Sequence, residues 1–245
     1  MESRGRMNID CYVINVVSNM ERRQAISEML SVSGIQFKIV PAVTPETVTE
    51  LNLGNMNPTA VAVWQSHRNC IKESSENDAY TLILEDDAVI DFDNAFLTET
   101  IRIMHKNEID FLQIGYLGIN VVQSSSILIR NIYNFFVRKG LFAQLFLRFG
   151  LAEVKRAKEK TWLKPIPRNY ILNDIRFGAH CYVVSPSFSA QMLNFNNPPF
   201  LATDDFYVSL SKMKSFKMFR LSKSLSRQGS YNSSFNKRYG LEELA

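Results

Sequence analysis

Residues 79–87 read Ala79-Tyr80-Thr81-Leu82-Ile83-Leu84-Glu85-Asp86-Asp87, a nearly continuous apolar run that stops abruptly in three acids. Such a run, without polar alternation, is the pattern of a central strand in a parallel sheet covered on both faces. Ligands of these sheets gather beyond the carboxyl ends of the strands, where Glu85, Asp86 and Asp87 should fall. Three adjacent carboxylates repel one another, which raises the free energy of the ionised state unless a cation sits among them. Alternate residues of an extended segment face the same way, so Glu85 and Asp87 are expected to share one side while Asp86 faces the other. Oxygen ligands in that arrangement suit Mg²⁺ or Mn²⁺. A solvated strand-to-loop junction is the competing reading, and the triplet alone leaves both open.

Working outward, the alternation of elements supports the same sheet. Asp10 to Asn15 is a short run of β-formers, Met20 to Ser33 carries Ile26, Met29 and Leu30 on one helical face, and Gly34 is placed as its stop. Gln36 to Val40 is a second strand closed by Pro41, which completes a βαβ unit. Asn57-Pro58-Thr59 opens a helix over Ala60 to Glu73. Beyond the acids, Phe92 to His105 reads as a helix and Asp110 to Ile114 as a strand. Residues 117–170 interrupt the pattern; His180 to Val184 then reads as a strand, and Ser187 to Leu193 and Asp204 to Ser211 as helices. The expected fold is a single α/β domain over 7–245, a mostly parallel central sheet with helices on both faces. Residues 117–170 form a basic, aromatic, partly helical insertion and 212–245 a basic, turn-rich tail.

Apolar residues make up 46% of the 245 and charged residues 21%, an ordinary globular balance. No window is long and apolar enough for a spanning helix, and residues 1–6 lack the apolar core of a secretory signal. Cys11, Cys70 and Cys181 are widely spaced and form neither a disulfide framework nor a zinc pattern, which suits a reducing cytosol. The net charge of +4 is segregated: residues 130–160 carry a net +6 and residues 212–238 a net +8. Those two segments call for an anionic partner surface. Phe135, Phe136, Phe142, Phe146 and Phe149, mixed with Arg138, Lys139 and Arg148, suit the anionic inner face of a membrane or a helical lid packed on the core. No RNA- or DNA-binding motif is present, so nucleic acid is not an expected partner.

Six stretches, taken in order, carry a resemblance. They are Tyr12 to Asn15 followed by Glu21-Arg22-Arg23, Phe37 to Val43, Ala62 to Arg68, Leu82 to Asp87, Gly178 to Ser185, and Thr203 to Phe206. Together they resemble glycosyltransferase family 25, which includes bacterial lipooligosaccharide galactosyltransferases. The resemblance implies a GT-A-type fold binding a nucleotide sugar, usually UDP-galactose. Glu85-Asp86-Asp87 then takes the place of the DxD motif, with Glu where many GT-A enzymes have Asp. Asp87 is the first expected ligand of Mn²⁺ or Mg²⁺, Glu85 acts directly or through water, and His180 is a weaker contact for metal or diphosphate. Asn15, Arg22, Arg23, His67, Arg68 and Asp86 are expected around the nucleotide sugar, with structural hydrogen bonding and helix-start charge pairing as their plain alternatives.

The resemblance also implies inverting transfer, which needs a base to take the proton of the acceptor hydroxyl, and Asp204 and Asp205 are the candidates; helix capping is the alternative for Asp204. The expected partners are a UDP-sugar donor and a bacterial surface glycan acceptor, in the cytoplasm or peripherally on the inner membrane face. Two other classes compete: a metal-dependent phosphoryl-transfer enzyme or hydrolase, and an inactive glycan- or nucleotide-binding module. No Gly-rich phosphate loop supports the former.

Overall fold

The structure, a computed structural model, describes residues 8–48, 56–117, 166–195 and 199–229. In chain order its strands are β1 (Ile9–Asn15), β2 (Lys38–Pro41), β3 (Tyr80–Glu85), β4 (Ala88–Ile90), β5 (Phe111–Gly115), β6 (Tyr170–Leu172), β7 (Cys181–Val184), β8 (Met218–Leu221) and β9 (Ser226–Gln228). Its helices are α1 (Met20–Val32), α2 (Pro58–Asn77), α3 (Asn94–Asn107), α4 (Pro186–Met192) and α5 (Thr203–Lys212).

The strands form one sheet in the order β2-β1-β3-β7-β5-β8-β6, with β9 joining β5 to β4. β1 pairs in parallel with β2 and β3, and β5 with β8 and β9, while β7 runs antiparallel between β3 and β5. β6 and β4 are the other reversed strands, so among the described residues six of nine strands point the same way. This is the expected α/β class with a mostly parallel sheet.

Period-2 alternation divides the core into two layers. Tyr12, Ile14, Ile83, Tyr182 and Val184 face one side, where Trp64, Cys70 and Ile71 of α2, Phe188 of α4 and Phe206 of α5 pack on them. Cys11, Val13, Leu82, Leu84 and Val183 face the other, against Ile26 and Leu30 of α1 and Leu97, Ile101 and Met104 of α3. Each fully buried side chain of this size contributes roughly 1.5–3 kcal/mol of transfer free energy. Gly34, at φ 68°, follows α1 in the left-handed conformation its placement predicts. Asn57 accepts from the Thr59 amide at 2.9 Å and Pro58 occupies the first turn, so α2 starts where the sequence signals it.

The basic tail needs correcting. Over 212–229 it is not a turn-rich appendage: β8 lies buried beside β5, and β9 pairs with β4. The basic residue in β8 is compatible with burial because Arg220 has partners. Its Nε donates to Asp174 at 2.9 Å, one Nη donates to the Leu221 carbonyl, and the guanidinium stacks on Tyr116. Residues 230–245 and most of the 117–170 insertion lie outside the described residues. Among the described residues no helix is long and apolar enough to cross a membrane.

Candidate active site

The carboxyl ends of β1 and β3 lie side by side, because the two strands pair in parallel with Ile14 opposite Glu85. β7 is antiparallel to them and therefore begins at this same edge, so the residue preceding it, His180, is delivered there as well. The His180 carbonyl accepts from the Glu85 amide at 3.1 Å. Room for the imidazole depends on Gly115, where a Cβ would come within 2.6 Å of His180 Nε2.

Beyond Glu85 the chain turns at Asp86-Asp87 before β4, and this overturns the expected alternation. Period 2 holds only while the backbone is extended. Glu85 is directed to α2, where its Oε1 lies 3.2 Å from His67 Nε2. Asp86 does not face away: its Oδ2 accepts from Asn15 Nδ2 at 2.8 Å and its Oδ1 from Arg22 at 3.1 Å. The same guanidinium stands 3.7 Å from Asp87 Oδ2. Asn15, Arg22, His67, Glu85, Asp86, Asp87 and His180 are thus brought to one edge of the sheet. Arg23 is exposed on α1, and its carbonyl accepts from Ser27. Arg68 faces elsewhere, donating from Nη2 to the Leu193 carbonyl at 3.1 Å.

One guanidinium, Arg22, faces two carboxylates, Asp86 and Asp87, while Glu85 faces His67. Burial pushes the Asp87 carboxyl up to about 7, helped by Glu85 and Asp86 and opposed by Arg22. Burial also raises Glu85, but His67, His180 and the Gln228 side chain more than offset this and hold it below its ordinary value. His180 is fully buried; desolvation lowers it, against the pull of Glu85 and the Ser226 carbonyl. Asp87 Oδ1 and His180 Nδ1 are buried and have no hydrogen-bond partner.

Asp204 stands in the first turn of α5, whose N-cap position is Ala202 rather than Asp204. Its two oxygens accept from the amides of Gly178 and Ala179 at 3.0 and 2.8 Å. Asp204 thereby clamps the approach to His180. Burial pushes its carboxyl up to about 6; nearby Glu85 raises it further, and the two amides and His67 oppose this. Asp205, its neighbour, is partly buried.

Sequence reading missed the support behind His67. His67 Nδ1 lies 2.8 Å from the Tyr182 hydroxyl, which lies 3.2 Å from that of Tyr207. The signal was available in the strand pattern, since period 2 turns Tyr182 toward the same layer as α2. Gln228 had no such signal, because it lies in the segment read as a tail.

With this geometry in place, the comparison with known families is specific. The description of glycosyltransferase family 25, an LPS biosynthesis protein, matches residues 8–207. The chain belongs to glycosyltransferase family 25. Every residue of the edge cluster falls within the matched span. No individual curated protein matches the chain. Among solved structures it is similar to the crystal structure of S. aureus TarS 1-349, at 11% identity and a TM-score of 0.34. That match covers 91% of this chain and 61% of the TarS chain, so the chain spans less than two thirds of it.

A divalent cation fits this family 25 site in one specific way. Among the described residues no three His, Cys, Asp or Glu side chains converge closely enough to enclose an ion by themselves. Asp87, with one buried oxygen unpartnered, suits an ion whose remaining ligands come from a substrate and water, while Glu85 is engaged by His67. Mg²⁺-type sites are commonly built from one or two carboxylates plus substrate phosphates.

Proposed function

We propose that this glycosyltransferase is metal-dependent and inverting, and that it moves galactose from UDP-galactose onto a lipooligosaccharide or related bacterial surface glycan. The observation that carries the reading is Asp87: a buried carboxylate with an unpartnered oxygen, pushed to about 7 among acids that a single arginine does not balance. Mn²⁺ or Mg²⁺ would be held by Asp87, with Glu85 contributing through water, and when bound it would neutralise charge on a departing diphosphate.

The chain's own residues provide the rest. Arg22 and Asn15 hold Asp86 and fix the turn that presents Asp87. His67, supported by Tyr182, orients Glu85. Asp204 is the favoured base for the acceptor hydroxyl. At about 6 it is ionised at neutral pH, yet basic enough to take a proton, and it lies close enough for Glu85 and His67 to affect its acidity. Asp205, its neighbour in the first turn of α5, is retained as the alternative. Peripheral membrane contact through the aromatic insertion would suit a lipid-linked acceptor; that segment lies outside the described residues.

The test is release of UDP from a panel of UDP-sugars with Mn²⁺, Mg²⁺ or chelator, with and without candidate glycans. UDP-galactose should be consumed fastest and only with a divalent cation. Equal turnover in chelator would remove the metal reading, and preference for another UDP-sugar would replace the donor. No release from any donor would favour a binding module.

A further inference from the structure

Gln113 is a polar side chain within the apolar strand β5, between Leu112 and Ile114, and it is 1% exposed. Strand alternation turns it, with Phe111, toward the layer of α2 and α5. An amide there must be desolvated, at a cost that an apolar residue of similar size avoids. Its hydrogen bonds all reach one loop, residues 176–179. Nε2 donates to the Arg176 carbonyl at 2.8 Å and to the Gly178 carbonyl at 3.1 Å, and Oε1 accepts from the Arg176 amide at 2.9 Å. Only this orientation of the side-chain amide matches the three groups, because the flipped one would set its oxygen against two carbonyls.

The loop is gripped from both sides. At the exit of β5 the Leu117 amide donates to the Phe177 carbonyl at 2.8 Å. Gly178, at φ 98°, passes so near that a Cβ would lie 2.8 Å from the Leu117 nitrogen. From the α5 side, Asp204 accepts from the Gly178 and Ala179 amides at 3.0 and 2.8 Å. The peptide unit between Gly178 and Ala179 therefore carries both the carbonyl that Gln113 holds and an amide that Asp204 holds. That unit is planar, so fixing its carbonyl fixes the direction of its N–H.

We infer that Gln113 is a positioning residue for the proposed transfer: through the Gly178–Ala179 peptide plane it aims the amides that hold the Asp204 carboxylate. The inference rests on the reading of Asp204 as the base and adds a residue that acts through the loop rather than on the substrate. Hydrogen bonds from amides favour the ionised carboxyl. Glu85 of β3 acts against that ionisation and His67 of α2 supports it, while Tyr207 stands one turn further along α5. Loosening the loop removes part of the amides' contribution, so the Asp204 carboxyl should rise above about 6.

Two variants test this. Gln113→Met keeps the volume and removes all three hydrogen bonds; Gln113→Asn keeps a polar amide but withdraws it by one methylene, and it carries the test if Gln113→Met does not fold. Ile101→Val, in the opposite layer, lowers stability without touching the loop and is the control. Carboxyl ¹³C NMR of the full chain, without donor or divalent cation, follows Asp204, whose signal is assigned by its loss in Asp204→Asn. Initial rates across pH are measured in parallel. The Gln113 variants should raise the Asp204 midpoint from about 6 toward about 7. They should also lower kcat roughly tenfold or more and move the acid limb of activity to higher pH, while Ile101→Val moves neither midpoint nor limb. An unmoved midpoint in the folded Gln113 variants, or an equal rise in Ile101→Val, would overturn the inference. A raised midpoint with an unmoved acid limb would leave Gln113 in its role toward Asp204 and pass the base to Asp205, so the two failures are told apart.

Discussion

Asn15, the last residue of β1, donates from Nδ2 to Asp86 Oδ2 at 2.8 Å across 71 positions of sequence. Asn15 is 1% exposed, so the bond forms in a desolvated setting where a charge-assisted contact is strong. It fixes the turn after β3, and with it the direction in which Asp87 is offered. The acid cluster is therefore held from beneath by a neutral amide and from one side by Arg22.

Replacing Asp87 separates cation binding from folding. Asp87→Asn removes a carboxylate that burial and its acidic neighbours disfavour when ionised. Its melting temperature in chelator should equal or exceed that of the parent, and the rise on adding Mn²⁺ should disappear. Differential scanning fluorimetry with and without Mn²⁺ measures both, and an undiminished Mn²⁺ shift would show that the ion binds elsewhere.

The same raised carboxyl sets a pH dependence of stability. The folded protein holds the Asp87 proton up to about 7, whereas an unfolded Asp loses it near the usual value of about 4. The folded state thus binds more protons between these values, and this group's contribution to stability falls as pH rises through that window. Chelator-treated protein should lose stability from pH 4 toward 7, less so in Asp87→Asn; urea midpoints across the range test this. Mn²⁺ should bind more tightly as pH rises through about 7, since it competes with that proton.

Asp204 predicts the acid limb of activity. A base works deprotonated, so turnover should fall as pH drops through about 6. Asp204→Asn should cut kcat by a hundredfold or more, in line with loss of a general base, while Asp205→Asn should cost much less. The reverse ranking, read from initial rates across pH, would move the base to Asp205.

His67→Ala should destabilise the fold by roughly 2–4 kcal/mol, because it opens a cavity and strips partners from Glu85 and Tyr182. His67→Gln should recover part of that loss. Guanidinium unfolding at pH 7 gives both values.

Gly115→Ala places a methyl 2.6 Å from His180 Nε2, 2.8 Å from Ser226 Cβ and 2.9 Å from Cys181 Cβ. Overpacking on this scale typically costs about 1–3 kcal/mol. It should also displace His180, so activity should fall further than thermal stability alone explains. Parallel melting curves and initial rates decide.

Much of this was legible in the linear sequence because it is local. Leu82 to Leu84 are apolar on both faces and predict a covered strand; the acids that follow predict the ligand edge. Asn57-Pro58 marks the start of α2, and Gly34 marks the end of α1. Six short motifs in order placed the chain in its family. All of these depend on neighbours within a few residues, where period, capping and turn chemistry act directly.

What only the tertiary structure decided depends on contacts far apart in sequence. Period 2 fails at Asp86 because the chain turns there, and the turn is held by Asn15 and Arg22 some seventy positions earlier. Asp204 was legible as an acid at a helix start, but its clamp on Gly178 and Ala179 was not. Arg220 reads as a solvated charge until Asp174 and Tyr116 enclose it in a buried strand. Charge and polarity are local properties, but their partners are set by packing, and these partners determine what each group can do.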